Sequence, residues 1–321
     1  MMSSRPFLHA SLTLLALVAF VMLSAELLSR YAFPRISNIE RRIRNDESRV
    51  MTLRSTGVDA RPTVLLAGNS LLLMGLDYPH LNAQVGRQAY AVRFVIENTE
   101  YLDWYYGLHH LFASGVRPSI VVLCLNVGQT VSSRTLGDYS ARHLFGASDL
   151  LPVAHAAGMD ATQTSELLLS HWSAFYASRA TMRNFILNRA APGYATAMHN
   201  LADNARSSLP PDDEVIGTAR ARLDAIDSLC RQFGAQLVLL IPPSLGGRNE
   251  LLASAAQLGN VNFDYPLPTL NSDMFRSDGT HLNQKGAAVF TQAIARCLQA
   301  RLAPMRRAEN LAHSPTNAAM P

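Results

Sequence analysis

The chain has 321 residues, 48% hydrophobic and 16% charged, a composition that excludes fibrous and intrinsically disordered classes. Its net charge is only +4, from 28 Lys+Arg against 24 Asp+Glu. With no basic stripe interleaved with aromatics, nucleic acid is excluded as the expected partner.

Phe7 to Ala25 is a 19-residue stretch whose only ionisable side chain is His9. As a helix it would cover about 28 Å, close to the hydrocarbon thickness of a bilayer. A cleaved signal peptide ending at Leu23-Ser-Ala25 is the rival reading. Leucine fits the small-x-small cleavage rule poorly, so an uncleaved anchor over 1–30 is expected. Arg30, Arg35, Arg41, Arg42 and Arg44 follow the span, and only Arg5 precedes it. By the positive-inside rule that asymmetry would hold the remainder in the cytoplasm. The N-terminal position of the span points instead to export.

Residues 31–60 form a linking segment. Ile36, Ile39, Ile43, Val50 and Leu53 are spaced for an amphipathic helix. From Arg61 the pattern becomes α/β. Strands are predicted near Thr63–Ala67, Gln88–Val95, Ile120–Leu125, Gln236–Ile241 and Val261–Asp264. Helices are predicted over Thr99–Ser114, Asp212–Phe233, Arg248–Leu258 and Ala287–Leu302. The alternation implies a mostly parallel five-stranded sheet covered on both faces, a flavodoxin-like α/β/α sandwich. Ile120 to Leu125 is apolar throughout, as suits a central parallel strand.

Residues 126–211 are too long for a simple crossover and are expected to carry structure of their own. Thr162 to Asn188 reads as helical. The insertion is either a cap beside the active site or an elaboration at the sheet edge. Residues 303–321 read as a disordered tail. Cys124, Cys230 and Cys297 lack the spacing of a zinc site or disulfide scaffold and read as buried small apolar residues. No phosphate loop or metal-ligand spacing occurs, so neither cofactor nor metal is expected.

Two stretches carry chemistry. In Val64-Leu-Leu-Ala-Gly-Asn-Ser70 a buried strand stops at a tight turn, and Leu71 to Gly75 can start a helix. Such a turn lies at the carboxyl end of an open α/β sheet, where ligands bind. There the Ser70 hydroxyl has helix N-terminal amides beside it, suited to a developing oxyanion. Near the other end, Asp278-Gly-Thr-His281 can place a carboxylate against an imidazole within one turn. Asp278 would fix the ring, leaving its other nitrogen to take a proton from Ser70.

In this order the two motifs resemble the SGNH (GDSL-type) hydrolase superfamily over about residues 61–302. The matching residues are Gly68-Asn69-Ser70 and Asp278-Gly-Thr-His281, with His281-Leu-Asn-Gln-Lys-Gly286 before the last helix. The resemblance implies the SGNH hydrolase fold and a catalytic triad of Ser70, His281 and Asp278. It also implies an oxyanion hole using the Ser70 amide and Asn126.

The family pattern breaks in three places. Asn69 stands where aspartate is usual, and no glycine ends the second strand, leaving a donor near Ile96 or Glu97. Asn126-Val-Gly-Gln129 replaces the usual Gly-x-Asn-Asp, with Gln129 a second donor candidate. The anchor, linking helix and Ile241-Pro-Pro-Ser run resemble a membrane-anchored branch active in cell-envelope acylation. That resemblance implies export to the periplasmic face of a bacterial inner membrane. It also implies an ester or acylated polysaccharide substrate and a multispan membrane acyltransferase as partner. The expected activity is that of an esterase or O-acetyltransferase; the rival is a non-catalytic SGNH-like scaffold that binds glycan or the acyltransferase.

Overall fold

The computed structural model describes residues 5–54, 61–194, 197, 209–264 and 270–312. The last helix runs Gln284–Ala312, so residues 303–312 of the expected disordered tail are helical, while 313–321 and the end of the linking segment lie outside the described residues. The chain divides into two compact units, Met1–Arg44 with Gly137–Ser208, and Asn45–Leu136 with Leu209–Pro321.

The second unit is built on five parallel strands: β1 Thr63–Gly68, β2 Tyr90–Val95, β3 Ile120–Cys124, β4 Gln236–Leu240 and β5 Phe263–Asp264. Their order is β2-β1-β3-β4-β5, and every neighbouring pair is parallel. This is the doubly wound order of flavodoxin-like folds, whose direction of winding switches between β1 and β3. The strands lie at the predicted positions to within two residues at either end.

Alternation along the strands sends successive side chains to opposite faces. On one face Val64 and Leu66 join Val122 and Val238, under Leu81 and Val85 of a helix at Tyr78–Val85. Phe290, Ile294, Leu298 and Leu302 of the C-terminal helix complete that cluster. On the other face Phe94 meets Trp104 edge to face at 5.9 Å. Phe112 stacks on Phe233 at 5.0 Å, joining helix Tyr101–Ala113 to the end of helix Asp212–Gln232. The sheet is therefore covered on both sides, and the fold is the expected α/β/α sandwich. Cys124 and Cys230 are buried and Cys297 half-buried, all three free. Burial pushes the Cys230 thiol up to about 12.

The first unit begins with α1, Arg5–Leu27, which continues through a π-helical turn at Leu28–Ala32 into α2, Phe33–Ile36. Its part from His9 to Ile36 is long and apolar enough to cross a membrane. The linking helix, α3, spans Asn38–Met51, with Ile43 and Val50 buried and Ile39 outward. The stretch Thr162–Asn188 is helical as expected and is divided in two, a first insertion helix at Ala161–Trp172 and a second at Ala174–Ala190. Ser173 between them is extended, and its hydroxyl accepts from the Tyr176 amide as an N-cap. Helical periodicity does not reveal such a break, because the apolar residues on either side keep similar spacing.

Candidate active site

The segment after β1 fixes Ser70. Gly68 sits at a close approach: a Cβ there would meet the Cys124 carbonyl at 3.0 Å and Leu72 Cβ at 3.3 Å, tight enough to press its neighbours. Asn69 then caps the helix Ser70–Gly75, its Oδ1 accepting from Leu71 N at 3.1 Å. Its amide nitrogen donates to the Thr99 carbonyl at 2.9 Å, and the side chain is fully buried. An ionised aspartate could not make that second bond, since it has no donor. The departure from Gly-Asp-Ser thus has a local cause. As the first residue of its helix, Ser70 has an amide N–H with no intrahelical acceptor.

His281 and Asp278 lie on the turn before the C-terminal helix. Phe275 and Leu282 bridge across its base, and Arg276 N donates to the His281 carbonyl at 2.8 Å. Gly279, at φ +63°, turns the chain between Asp278 and His281. Asn283 caps the helix by accepting from the Lys285 and Gly286 amides. A Cβ on Gly286 would stand 2.4 Å from the Met274 carbonyl oxygen. The His-Leu-Asn-x-x-Gly run is therefore a capped, closely packed helix entry.

The three side chains meet in a line. His281 Nδ1 is 2.9 Å from Asp278 Oδ2, and His281 Nε2 is 2.9 Å from Ser70 Oγ. Asp278 Oδ1 accepts from the Thr280 and His281 amides, each at 2.8 Å. Burial alone would raise the Asp278 carboxyl, but the amide donors and the His281 ring outweigh it and hold it at about 2. An ionised Asp278 can only accept, so Nδ1 carries the ring proton and the Nε2 lone pair faces the serine hydroxyl. That is the arrangement in which imidazole can take a proton from Ser70.

The loop after β3 sits at the same height. Gly68 pairs with Cys124, so Ser70 and Asn126 each lie two residues beyond a paired position. Asn126 Oδ1 accepts from Gln129 N at 2.8 Å, and Gln129 Oε1 accepts from Asn126 N at 3.0 Å. This reciprocal cap fixes the Asn126 amide plane and turns the Gln129 side-chain oxygen back onto the chain. Asn249, buried at the start of helix Asn249–Leu258, accepts from Val127 N and donates to the Pro242 carbonyl. It thereby ties the loop after β3 to the Pro-Pro loop after β4. Sequence reading missed Asn249, whose partners are distant in the chain. After β2, the Ile96 amide is taken by the Gly68 carbonyl at 3.1 Å, which removes it as an oxyanion donor. Among the described residues no group of three or more His, Cys, Asp or Glu could hold a metal ion.

No protein-family model matches the chain, and no curated protein matches it. Solved structures similar to it include TesA, at 14% identity and TM-score 0.37, covering 72% of this chain and 95% of that one. An acetyl xylan esterase from Geobacillus stearothermophilus is similar at 13% identity and TM-score 0.36, covering 73% of this chain and 93% of its own.

Proposed function

We propose that the protein is a membrane-anchored serine esterase or O-acyltransferase of the SGNH superfamily, with Ser70, His281 and Asp278 as its triad. The observation that carries this reading is His281 standing 2.9 Å from Ser70 on one side and from Asp278 on the other. Ser70 Oγ attacks an ester carbonyl carbon while its proton passes to His281 Nε2. The resulting oxyanion is held by the Ser70 amide and the Asn126 side-chain amide. His281 returns the proton to the departing alcohol as the carbon–oxygen bond breaks, leaving acyl-Ser70. Water then completes hydrolysis, or a sugar hydroxyl completes transfer, with His281 again the base.

In this reading the N-terminal helix anchors the chain in the inner membrane, the triad faces the periplasm, and the acyl group is acetyl on an exported polysaccharide. A multispan membrane acyltransferase is the partner that would supply or share the acyl group. The full-length protein in detergent is tested with p-nitrophenyl acetate and a serine-directed phosphonate, beside Ser70→Ala. Turnover and labelling that both vanish in the variant support the reading. A folded wild-type protein that neither turns over nor labels overturns it. Release of free acetate versus its appearance on an added oligosaccharide separates the two activities.

A further inference from the structure

The insertion is fastened to the end of the apolar N-terminal helix. Glu26, one residue past the apolar stretch, accepts from Ser173 Oγ at 2.8 Å and from the Ala174 and Phe175 amides at 3.0 Å each. Its carboxylate therefore serves as an N-terminal cap for the second insertion helix, contributed from a distant part of the chain. Arg30 pairs with the same carboxylate and donates to the Trp172 carbonyl at 3.0 Å. Further along, Ser29 meets Met182 at 3.8 Å, and Phe33 meets Phe185 edge to face at 6.2 Å. As the second insertion helix advances from 174 to 185, its partners on the N-terminal helix advance from 26 to 33. The two run side by side in the same direction. The corner between the two insertion helices is consequently at the apolar, membrane end of the insertion.

That corner presents Leu169 and Trp172, 52% and 65% exposed, one turn apart on the first insertion helix. On the N-terminal helix Leu23, Leu27 and Leu28 are exposed at the same level. The corner thus lies beside the end of the span, and both helices expose apolar side chains there. We propose that this corner seats in the headgroup region of the bilayer that the N-terminal helix crosses, with Leu169 and Trp172 entering the acyl boundary. Tryptophan suits this depth because its ring is apolar and its indole N–H reaches the wet headgroups. The Glu26 charge is tolerable there because Arg30 and the helix amides neutralise and bond it. Rigid seating of this kind would set the orientation of the first unit on the membrane, rather than leave it on a free stalk. This inference rests on the N-terminal helix being a membrane span and is independent of the triad.

The test uses full-length protein reconstituted into phosphatidylcholine–phosphatidylglycerol vesicles. The chain has two tryptophans, and Trp104 is fully buried in the second unit, so Trp172 is the lipid-accessible reporter. Vesicle flotation comes first, followed by tryptophan emission with lipids brominated near the headgroup or near the chain end. The expected result is a blue-shifted component quenched more by shallow than by deep bromines, and absent in Trp172→Phe. Leu169→Glu, a change at an exposed site, is expected to shift that component to the red and reduce its quenching. Ile186→Ser, at an exposed apolar residue farther along the second insertion helix, is expected to leave it unchanged. Protein that floats with the vesicles but shows water-like, unquenched Trp172 emission overturns the seating and leaves the anchor standing. Protein that fails to float overturns the span and the seating together.

Discussion

His281 Nε2 stands 2.9 Å from Ser70 Oγ across 211 residues of chain. The pairing depends on two helix entries meeting at one edge of the sheet, one after β1 and one before the last helix. On the proposed mechanism, Asp278 matters through the ring it orients. Asp278→Asn should retain the fold yet lower kcat by roughly four orders of magnitude, because it favours the wrong imidazole tautomer. KM for p-nitrophenyl acetate should change little. Steady-state kinetics on the purified variant decide this; near-wild-type kcat would remove Asp278 from the triad.

Asn126 supplies a second test, of transition-state stabilisation rather than of proton transfer. Its oxygen is engaged by Gln129 N, which leaves the amide nitrogen as the group able to face an oxyanion. Asn126→Ala should cost about 2.7–4 kcal/mol of transition-state stabilisation, a loss of roughly 10²–10³ in kcat. Phosphonate labelling of Ser70 should persist, more slowly, because nucleophile and base remain. An unchanged kcat would show that the oxyanion is held elsewhere.

Much of this arrangement is legible in the amino-acid sequence. The apolar run Val64–Ala67 ending in Gly-Asn-Ser marks a buried strand with a serine at its carboxyl end, and Asp278 and His281 are close enough along the chain to meet in one turn. Strand alternation specifies the layers, since parallel strands between helices leave few packings. What periodicity cannot carry are bonds between distant segments. Asn69 reaches the Thr99 carbonyl, Asn249 joins two loops, and Glu26 caps a helix that begins at Ala174. None of these has a local pattern, because each partner is chosen by the fold. Ser173 differs in that its own cap is local, the hydroxyl accepting from the Tyr176 amide, and only the added Glu26 bonds come from a distant segment.

Asn69 offers a substitution that looks conservative by family pattern and should not be. Asn69→Asp replaces the donor to Thr99 with a buried carboxylate oxygen facing a carbonyl oxygen. At pH 8 it should destabilise the protein by about 1–3 kcal/mol, the usual cost of an unsatisfied buried group. Proton uptake restores a donor, so the folded-state pKa of the new aspartate is raised. The penalty is then present above that pKa and shrinks as pH falls through it. Thermal melts of wild type and variant at pH 8 and pH 5 read this directly. A gap that fails to narrow at pH 5 would contradict the assigned donor.

Glu40 gives the opposite sign in the first unit. Its buried carboxylate accepts from Tyr139 OH at 2.6 Å and lies 3.8 Å from both Arg44 and His143. Burial works to raise its pKa, but His143, Tyr139 and Arg44 outweigh burial and hold it below the ordinary 4.5. A depressed folded-state value means the stabilisation is present above the unfolded value and is lost as pH falls through the folded one. Glu40→Gln keeps the shape and removes the charge. The variant should be less stable than wild type at pH 7 by about 1–3 kcal/mol, since the hydrogen bond from Tyr139 and the contacts with Arg44 and His143 lose their charged acceptor. Because only wild type has this carboxylate to protonate, the difference in Tm should shrink as pH is lowered below 4.5. Melts of the full-length protein across that range measure it. A difference that stays constant with pH would mean that ionisation of Glu40 contributes nothing to the fold.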